Sequence, residues 1–126
     1  MAEALLGLKR THQCGIITNS EVGRIVCVMG WIQTRRDHGG LIFVDLRDRS
    51  GMVQVVFSPE VDQEAFGKAQ AVRSEYVIAV VGEVRSRPEG TINPNLATGE
   101  IEIYAQELRI LNRAKTPPFY IEENVN

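Results

Sequence analysis

Hydrophobic and polar residues alternate with a period of two through most of the chain, and glycines and polar clusters interrupt the alternation at short intervals. This pattern is typical of β-strands that bury one face, because successive side chains of a strand point to opposite sides. It predicts strands at residues 24–34, 41–47, 52–57, 76–87 and 100–112. In the fourth strand apolar residues are so dense that the alternation leaves open which set is buried.

Between the third and fourth predicted strands the period changes to that of a helix. Ser58 and Pro59 resemble a helix start, with the serine as N-cap and the proline in the first turn, where its missing N–H costs nothing. One narrow apolar stripe follows, formed by Val61, Ala65, Ala69 and Val72. We expect this helix to plug one end of a barrel.

The predicted element order is β-β-β-α-β-β, which is the order of the five-stranded OB-fold, a Greek-key barrel with one helix between strands 3 and 4. Residues 1–112 are expected to form this domain. Residues 113–126 contain a proline pair and then an acidic end, and they are expected to start a stiff linker to a further domain. The topology alone does not establish binding of a nucleic acid.

Composition excludes several classes of protein. Only 44% of the residues are apolar, and no apolar stretch approaches the roughly 20 residues of a membrane span. No basic leader precedes the short apolar run near the start, so we expect a cytoplasmic location and no membrane partner. Cys14 and Cys27 are expected to be reduced thiols. His12 and Cys14 lack a second pair of ligands, so no metal is expected.

Net charge is −2, which argues against a protein that holds nucleic acid by bulk positive charge. Eleven of the 14 basic residues are nevertheless arginine, whose guanidinium stacks on bases and forks onto phosphates. Six of them form close pairs, at positions 35/36, 47/49 and 85/87. For any single pair, the alternative to a role in nucleic-acid binding is that the arginines are simply solvated at the end of a strand.

Strand parity predicts which side chains face a ligand. If the even-numbered apolar residues of the second strand are buried, Phe43 must face outward among charged neighbours. The same argument turns Gln54 outward from the third strand and Glu102 outward from the fifth. Arg85 and Arg87 share one parity at the end of the fourth strand and can face the same groove.

This face is suited to the recognition of unstacked bases, because it combines an aromatic ring, an amide, a carboxylate and arginines. The ring of Phe43 supplies a stacking surface worth about 1 to 3 kcal/mol per base. The amide and the carboxylate can bond to base edges, and the arginines can neutralise phosphates. A carboxylate repels phosphate, so Glu102 favours a base with donors, such as guanine. The alternatives are a solvated barrel face, or a face packed against another protein subunit.

Five segments of the chain form an ordered set of motifs. The longest is GWIQTRRDHGGLIFVDLRD at residues 30–48. It is followed by GMVQVV at 51–56, VRSEYV at 72–77, GEVRSRP at 82–88 and ATGEIE at 97–102. Each motif is weak alone, but the ordered set is specific and resembles the start of bacterial aspartyl-tRNA synthetases. The resemblance covers roughly residues 10–113. The related asparaginyl and lysyl enzymes share the barrel but resemble residues 35–48 less.

The resemblance implies an anticodon-binding domain. The family's stacking aromatic falls on Phe43, its amide for the middle base on Gln54 and its carboxylate for the first base on Glu102. Basic positions of the family around the anticodon loop fall on Arg36, Arg85 and Arg87. A polar loop position falls on Asn93, although Thr91 and Pro94 beside it depart from the family's commoner loop sequence.

The resemblance also implies a parent enzyme, an aspartate-tRNA ligase of class II that uses ATP and Mg²⁺ in a separate catalytic domain and forms a homodimer. Motifs of that domain do not occur in this sequence, so we expect no catalytic residue, no cofactor and no aminoacylation activity in the chain itself. Its partners would be tRNA-Asp and its own catalytic domain. The alternative is a free-standing OB module that binds single-stranded nucleic acid.

Two positions bear on the third anticodon base, which alone distinguishes tRNA-Asp from tRNA-Asn. His38 and Gly90 stand where stringent bacterial members of the family tend to carry leucine and lysine. A glycine removes a bulky charged contact, and a histidine can donate or accept a hydrogen bond. This resembles the relaxed type of enzyme, so tRNA-Asn is a further expected partner. His38 in a turn before two glycines can equally be only a turn residue.

Overall fold

Five strands and one short α-helix follow one another in a computed structural model that describes residues 8–113. Two 3₁₀ turns, at Cys14–Ile16 and Asn19–Glu21, precede the first strand. The elements are β1 (Ile25–His38), β2 (Leu41–Asp48), β3 (Gly51–Phe57), α1 (Gln63–Ala69), β4 (Val77–Ser86) and β5 (Ile101–Asn112). Each of the five predicted strands is present, with ends that differ by a few residues at most.

The strands close into a barrel in the order β1-β2-β3-β5-β4. Closure depends on the length of β1, whose first half pairs with β4 and whose second half pairs with β2, with the change of partner at Trp31. The β3–β5 pair is parallel and the other pairs are antiparallel. This is the predicted fold, a mostly β, five-stranded OB barrel with one helix between β3 and β4.

The barrel interior is filled by alternate apolar side chains of every strand. In β2 the side chains of Ile42, Val44 and Leu46 are at most 3% exposed, while the residues between them are half-buried. Burial of one such side chain stabilises the fold by about 1.5 to 3 kcal/mol. The alternation therefore fixes the outward direction of the intervening residues.

The helix begins later than the sequence predicted, so the prediction of Ser58 as its N-cap was wrong. The carbonyl of Ser58 accepts hydrogen bonds from the backbone N–H groups of Val61 and Asp62, which makes a tight turn. The helix then starts at Gln63, and the carboxylate of Asp62 accepts from the N–H of Ala65 at 2.9 Å. An aspartate at this position satisfies a helical N–H that would otherwise lack a partner.

Both faces of β4 are apolar because both are covered. Ile78 and Val80 belong to the barrel interior, whereas Val77 and Ala79 pack on the outside against Trp31 and other residues of β1. The segment before β1 adds to this cover, since the N–H of Thr11 donates to the carbonyl of Cys27 at 2.9 Å. The dense apolar pattern of β4 thus reflects two packed surfaces.

Cys14 and Cys27 are free thiols and both are buried.

Strand β5 ends at Asn112, and the predicted linker at 113–126 lies outside the described residues except for Arg113. Within the part of the chain that the structure describes, no helix is long and apolar enough to cross a membrane. The same residues contain no cluster of three His, Cys, Asp or Glu side chains suited to a metal ion.

Candidate nucleic-acid interface

Phe43 lies half-buried on the outer side of β2, directly across from Arg36 of β1. The guanidinium carbon of Arg36 is 5.3 Å from the centre of the phenylalanine ring, which is a cation–π contact. Arg36 also donates to Oε1 of Gln54 at 3.3 Å. The ring and the amide are thus joined through one exposed arginine.

Gln54 and Glu102 lie beside this pair, on β3 and β5, and form the base of the groove. Nε2 of Gln54 donates to a carboxylate oxygen of Glu102 at 2.9 Å. The two residues are 7% and 3% exposed, so they are far less open to solvent than the prediction of outward, solvated side chains suggested. They face away from the barrel interior, as parity predicted, but neighbouring side chains cover them.

Glu102 is a buried carboxyl group held among hydrogen-bond donors. Burial raises the pKa of Glu102 above its ordinary value, while the hydrogen bond from Gln54, the nearby hydroxyl of Tyr104 and the positive charges of Arg87 and Arg85 oppose that rise. Each opposing contact stabilises the ionised form. Glu102 is therefore an acceptor whose remaining lone pairs suit a base edge that carries N–H groups.

Arg85, near the end of β4, and Arg87, just beyond it, both place positive charge near Glu102, but they differ in burial. Arg87 is only 9% exposed. It donates to the carbonyls of Ile101 at 3.0 Å and Thr91 at 3.3 Å. Burial lowers the pKa of Arg87 below its ordinary value, although its guanidinium keeps the nearby negative charges of Glu102 and Asp45 as neighbours. Arg85 is exposed and forms an ion pair with Glu83 at 3.0 Å.

Arg85 also stacks on a second aromatic ring. Its guanidinium carbon is 4.3 Å from the ring centre of Tyr104, which lies two residues after Glu102 on β5. The sequence analysis assigned no role to Tyr104. The spacing of two residues between Glu102 and Tyr104 was the one sign in the sequence that both side chains lie on the same face of β5. The contact of Tyr104 with Arg85 depends on the pairing of β4 with β5, which the sequence does not show.

Three further predicted residues lie at the end of β1 or in the β4–β5 loop. His38 is exposed at the tip of the β1–β2 hairpin, opposite Leu41. Gly90 lies in the β4–β5 loop with φ +89°, and a Cβ atom added there would meet no atom within 4 Å. The side-chain oxygen of Asn93 accepts from the backbone N–H of Asn95 at 3.0 Å, so it shapes its own loop.

We name the connected outer surface the binding face. It consists of Arg36, Phe43, Gln54, Arg85, Glu102 and Tyr104, with Arg87 beneath it. The surface combines two aromatic rings, two exposed guanidinium groups, an amide and a carboxylate. Such a set can stack unpaired bases, bond to their edges and neutralise nearby phosphates.

A closed β1-β2-β3-β5-β4 barrel that carries this surface on its outer side is typical of oligonucleotide-binding barrels. The chain belongs to the family described as "OB-fold nucleic acid binding domain", which it matches over residues 26–111.

Curated relatives align with the whole chain. It is 63% identical to aspartate–tRNA(Asp/Asn) ligase of Heliobacterium modesticaldum and 61% identical to the ligase of the same name of Halothermothrix orenii. In each case 100% of this chain aligns with 21% of the relative. The chain thus spans about a fifth of the length of these proteins.

Solved structures share the barrel. Asparaginyl-tRNA synthetase from Pyrococcus horikoshii superposes with a TM-score of 0.69 at 27% identity, over 90% of this chain and 25% of that one. The OBody AM2EP06, solved bound to hen egg-white lysozyme, superposes with a TM-score of 0.73 at 28% identity, over 86% of this chain and 99% of that one. The second structure is therefore little more than the barrel itself.

Proposed function

We propose that this chain binds the anticodon loops of tRNA-Asp and tRNA-Asn as the N-terminal domain of an aspartate–tRNA ligase. The observation that carries the proposal is the contact between Gln54 and Glu102 beside Phe43 on one face of the barrel. Similarity over the whole chain to ligases named for both tRNAs supports it. The same similarity favours this function over a free-standing binding module.

In this proposal, each anticodon base has a separate partner. The ring of Phe43 stacks on an unstacked base of the anticodon guanine-uracil-cytosine. Gln54 bonds to the uracil edge, and Glu102 accepts from the amino and imino groups of the guanine. Arg36 and Arg85 lie at the exposed margin of the binding face, where guanidinium groups can contact phosphates.

Arg87 and Asn93 would contribute to anticodon recognition indirectly, without contacting a base. The guanidinium of Arg87 is already bonded to two backbone carbonyls, and the oxygen of Asn93 is bonded within the loop. We propose that both residues hold the β4–β5 loop where it can border the anticodon. Arg87 adds positive charge beneath Glu102.

Aminoacylation itself would belong to the longer parent protein. We propose that this parent is a cytoplasmic, homodimeric class II ligase, whose separate catalytic domain attaches aspartate to tRNA with ATP and Mg²⁺. The present chain corresponds to 21% of such a protein. We assign no catalytic role to any residue of the chain.

Relaxed reading of the third base is the finer part of the proposal, and it depends on His38 and Gly90. His38 is exposed at a hairpin tip, with ring atoms free to face a base. Gly90 has no side chain, and a Cβ atom added there would meet no atom within 4 Å. Together they leave room for cytosine or uracil and impose no charged contact at that position.

The proposal is tested by titrating the 126-residue chain with labelled RNA stem-loops. Loops that carry the tRNA-Asp and tRNA-Asn anticodons should bind with affinities within tenfold of each other. A loop with adenine in place of the first-position guanine should bind more weakly. Equal affinity for all loops would refute anticodon recognition. A loss of more than tenfold with the uracil third base would refute relaxed reading alone.

A further inference from the structure

The outer side of the barrel carries a second aromatic ring, Tyr104, to which the proposed base contacts give no role. Its neighbours Ile103 and Ala105 belong to the barrel core, so the side chain of Tyr104 faces outward. The residue is half-buried, and the guanidinium carbon of Arg85 lies 4.3 Å from the centre of its ring. The ring therefore already stacks with one planar group on the outside of the barrel.

Strand register places Tyr104 and Phe43 in one row of the outer surface. Val56 of β3 is the cross-strand partner of Phe43 on β2 and of Tyr104 on β5. Val55 belongs to the core, so Val56 faces outward, yet it is 0% exposed. Outer side chains must therefore cover it, and its direct neighbours in the register are the two aromatic residues. The row is apolar from one ring to the other.

The adjacent row carries the two side chains that can bond to base edges. Gln54 and Glu102 precede Val56 and Tyr104 by two positions, so all four side chains leave the same side of the sheet. Gln54 lies diagonally across from Phe43 in the β2–β3 pair, and Glu102 lies beside Tyr104 on β5. Each ring thus has its own polar neighbour, and the arrangement repeats across the binding face.

The spacing of the two rings suits two separate bases. Strands β2 and β5 flank β3, so their backbones lie two strand spacings apart, which is about 10 Å. Bases that stack directly on each other are only about 3.4 Å apart. A stacked pair of bases therefore cannot place one base on each ring. Two bases that are splayed apart can, and splayed bases are typical of single-stranded loops bound to protein.

We infer that Tyr104 is a second stacking surface, which carries the first anticodon base while Glu102 bonds to the edge of that base. Phe43 and Gln54 contact the middle base in the same way. This assignment rests on the proposed function, which gives the guanine edge to Glu102. The side chain of Arg85 is 44% exposed, so its guanidinium is free to leave the ring when a base arrives.

Two substitutions at Tyr104 separate the ring from the rest of the side chain. Tyr104→Leu removes the flat ring but keeps an apolar side chain beside Val56, and Tyr104→Phe keeps the ring. Tyr76→Leu is the matched control. Tyr76 is also half-buried and lies under an arginine, with the guanidinium carbon of Arg113 at 5.8 Å from its ring centre. It precedes the end of β4 that is opposite to Arg85, so it lies outside the binding face.

The first test measures the affinity of each variant for a stem-loop with the tRNA-Asp anticodon. Tyr104→Leu should weaken binding by about fivefold or more, because one base loses its stacking partner. Tyr104→Phe and Tyr76→Leu should each weaken it by less than about twofold. An unchanged affinity in Tyr104→Leu would overturn the inference. If the wild-type chain did not bind this loop, the proposed function would fail and the inference with it.

Stem-loops that lack one base assign the ring to a position. When the first anticodon position is abasic, Tyr104→Leu should change affinity by less than about twofold, because the base that it would carry is already absent. When the middle position is abasic, the full effect of Tyr104→Leu should remain. Phe43→Ala should show the converse pattern. An effect of Tyr104→Leu that is the same for all loops would overturn the assignment to the first base.

A change of base distinguishes stacking from edge recognition. Every base has a flat face, so Tyr104→Leu should weaken the binding of loops with guanine or adenine at the first position by similar factors. A loss confined to the guanine loop would overturn the stacking role.

NMR of the wild-type chain tests the same contact without any substitution. The ring protons of Tyr104 should shift upfield when the intact loop is added, because a base then lies against the ring. They should shift much less with the loop that is abasic at the first position. Equal shifts with the two loops, or no shift with the intact loop, would overturn the inference even if Tyr104→Leu did not fold.

Discussion

Gln54 and Glu102 are 48 positions apart in sequence, yet their side chains form a hydrogen bond of 2.9 Å between Nε2 and a carboxylate oxygen. Both are buried on the outer side of the barrel wall. A bound base would have to share or replace this contact, so recognition exchanges one set of hydrogen bonds for another. Such an exchange contributes more to selectivity than to affinity, since the bonds formed resemble the bonds lost.

Replacing Phe43 by alanine should weaken binding of the anticodon stem-loop by about 1 to 3 kcal/mol, because a stacking surface is lost. The ring is half-buried, so the loss of stability should stay below the roughly 3 to 5 kcal/mol typical of a core phenylalanine. Fluorescence titration and urea unfolding measure the two effects. Phe66→Ala is the control: it should lower stability and leave RNA affinity nearly unchanged, since Phe66 packs against the core from α1.

Glu102→Gln should reduce the preference for a first-position guanine, because one carboxylate acceptor becomes an amide donor. We expect roughly a tenfold or greater loss for the guanine loop and a smaller loss for an adenine loop. Competition between the two loops for the same protein measures the preference directly. An equal loss for both would indicate a general change of the surface and exclude a base-specific role.

The same substitution should change how stability depends on pH. Burial raises the Glu102 pKa above its ordinary value of 4.5, so the folded chain binds a proton there more tightly than the unfolded chain. That favourable contribution is complete below the unfolded pKa and is lost as pH rises through the folded pKa. Glu102→Gln should therefore gain stability relative to wild type between about pH 4 and pH 7.

Urea unfolding at both pH values measures this difference. The exposed Glu60 provides the control, since Glu60→Gln should show no comparable gain. A stability difference between wild type and Glu102→Gln that stays constant with pH would contradict the expectation.

Arg87→Lys should destabilise the barrel by about 1 to 3 kcal/mol, because an ammonium group cannot reproduce the two guanidinium contacts to the carbonyls of Ile101 and Thr91. The free energy of urea unfolding measures the loss. Arg24 is exposed, and Arg24→Lys should change stability by less than about 0.5 kcal/mol. Equal effects of the two substitutions would mean that the buried contacts of Arg87 contribute little.

Glu75→Gly should stabilise the protein. Glu75 has φ +75°, which is a left-handed backbone conformation. This conformation is unfavourable for a residue that has a Cβ atom, whereas glycine adopts it at little cost in free energy. After the greater backbone entropy of glycine is subtracted, we expect a gain of about 0.5 to 1 kcal/mol in the free energy of unfolding. Glu89→Gly, at an exposed loop position without positive φ, should instead lower stability. A loss in both variants would exclude strain at Glu75.

The alternation in β2 was enough to predict that Phe43 faces outward, because burial of every second residue depends only on positions adjacent in sequence. The same argument predicted the side of the sheet on which Gln54 and Glu102 lie. It could not predict their burial. That follows from the pairing of β3 with β5 and from the contact of Arg36 with Gln54.

The local sequence pattern did not predict where the helix begins. Ser58 and Pro59 suit a helix start, but the backbone makes a turn there and Asp62 caps the helix instead.

Alternation also cannot predict the core-facing residues along the whole of β5. A register shift opposite Val81 and Gly82 changes which residues of β5 face the core.

The sequence by itself thus determined the strands, the inward and outward faces of β2 and β3 and the outer positions of the proposed reading residues, because these follow from the two-residue period of a β-strand. The tertiary structure alone decided that Gln54 meets Glu102, that Arg87 lies beneath the surface and that Arg85 stacks on Tyr104. Those contacts depend on strand pairing and barrel closure, which bring together residues that no local period relates.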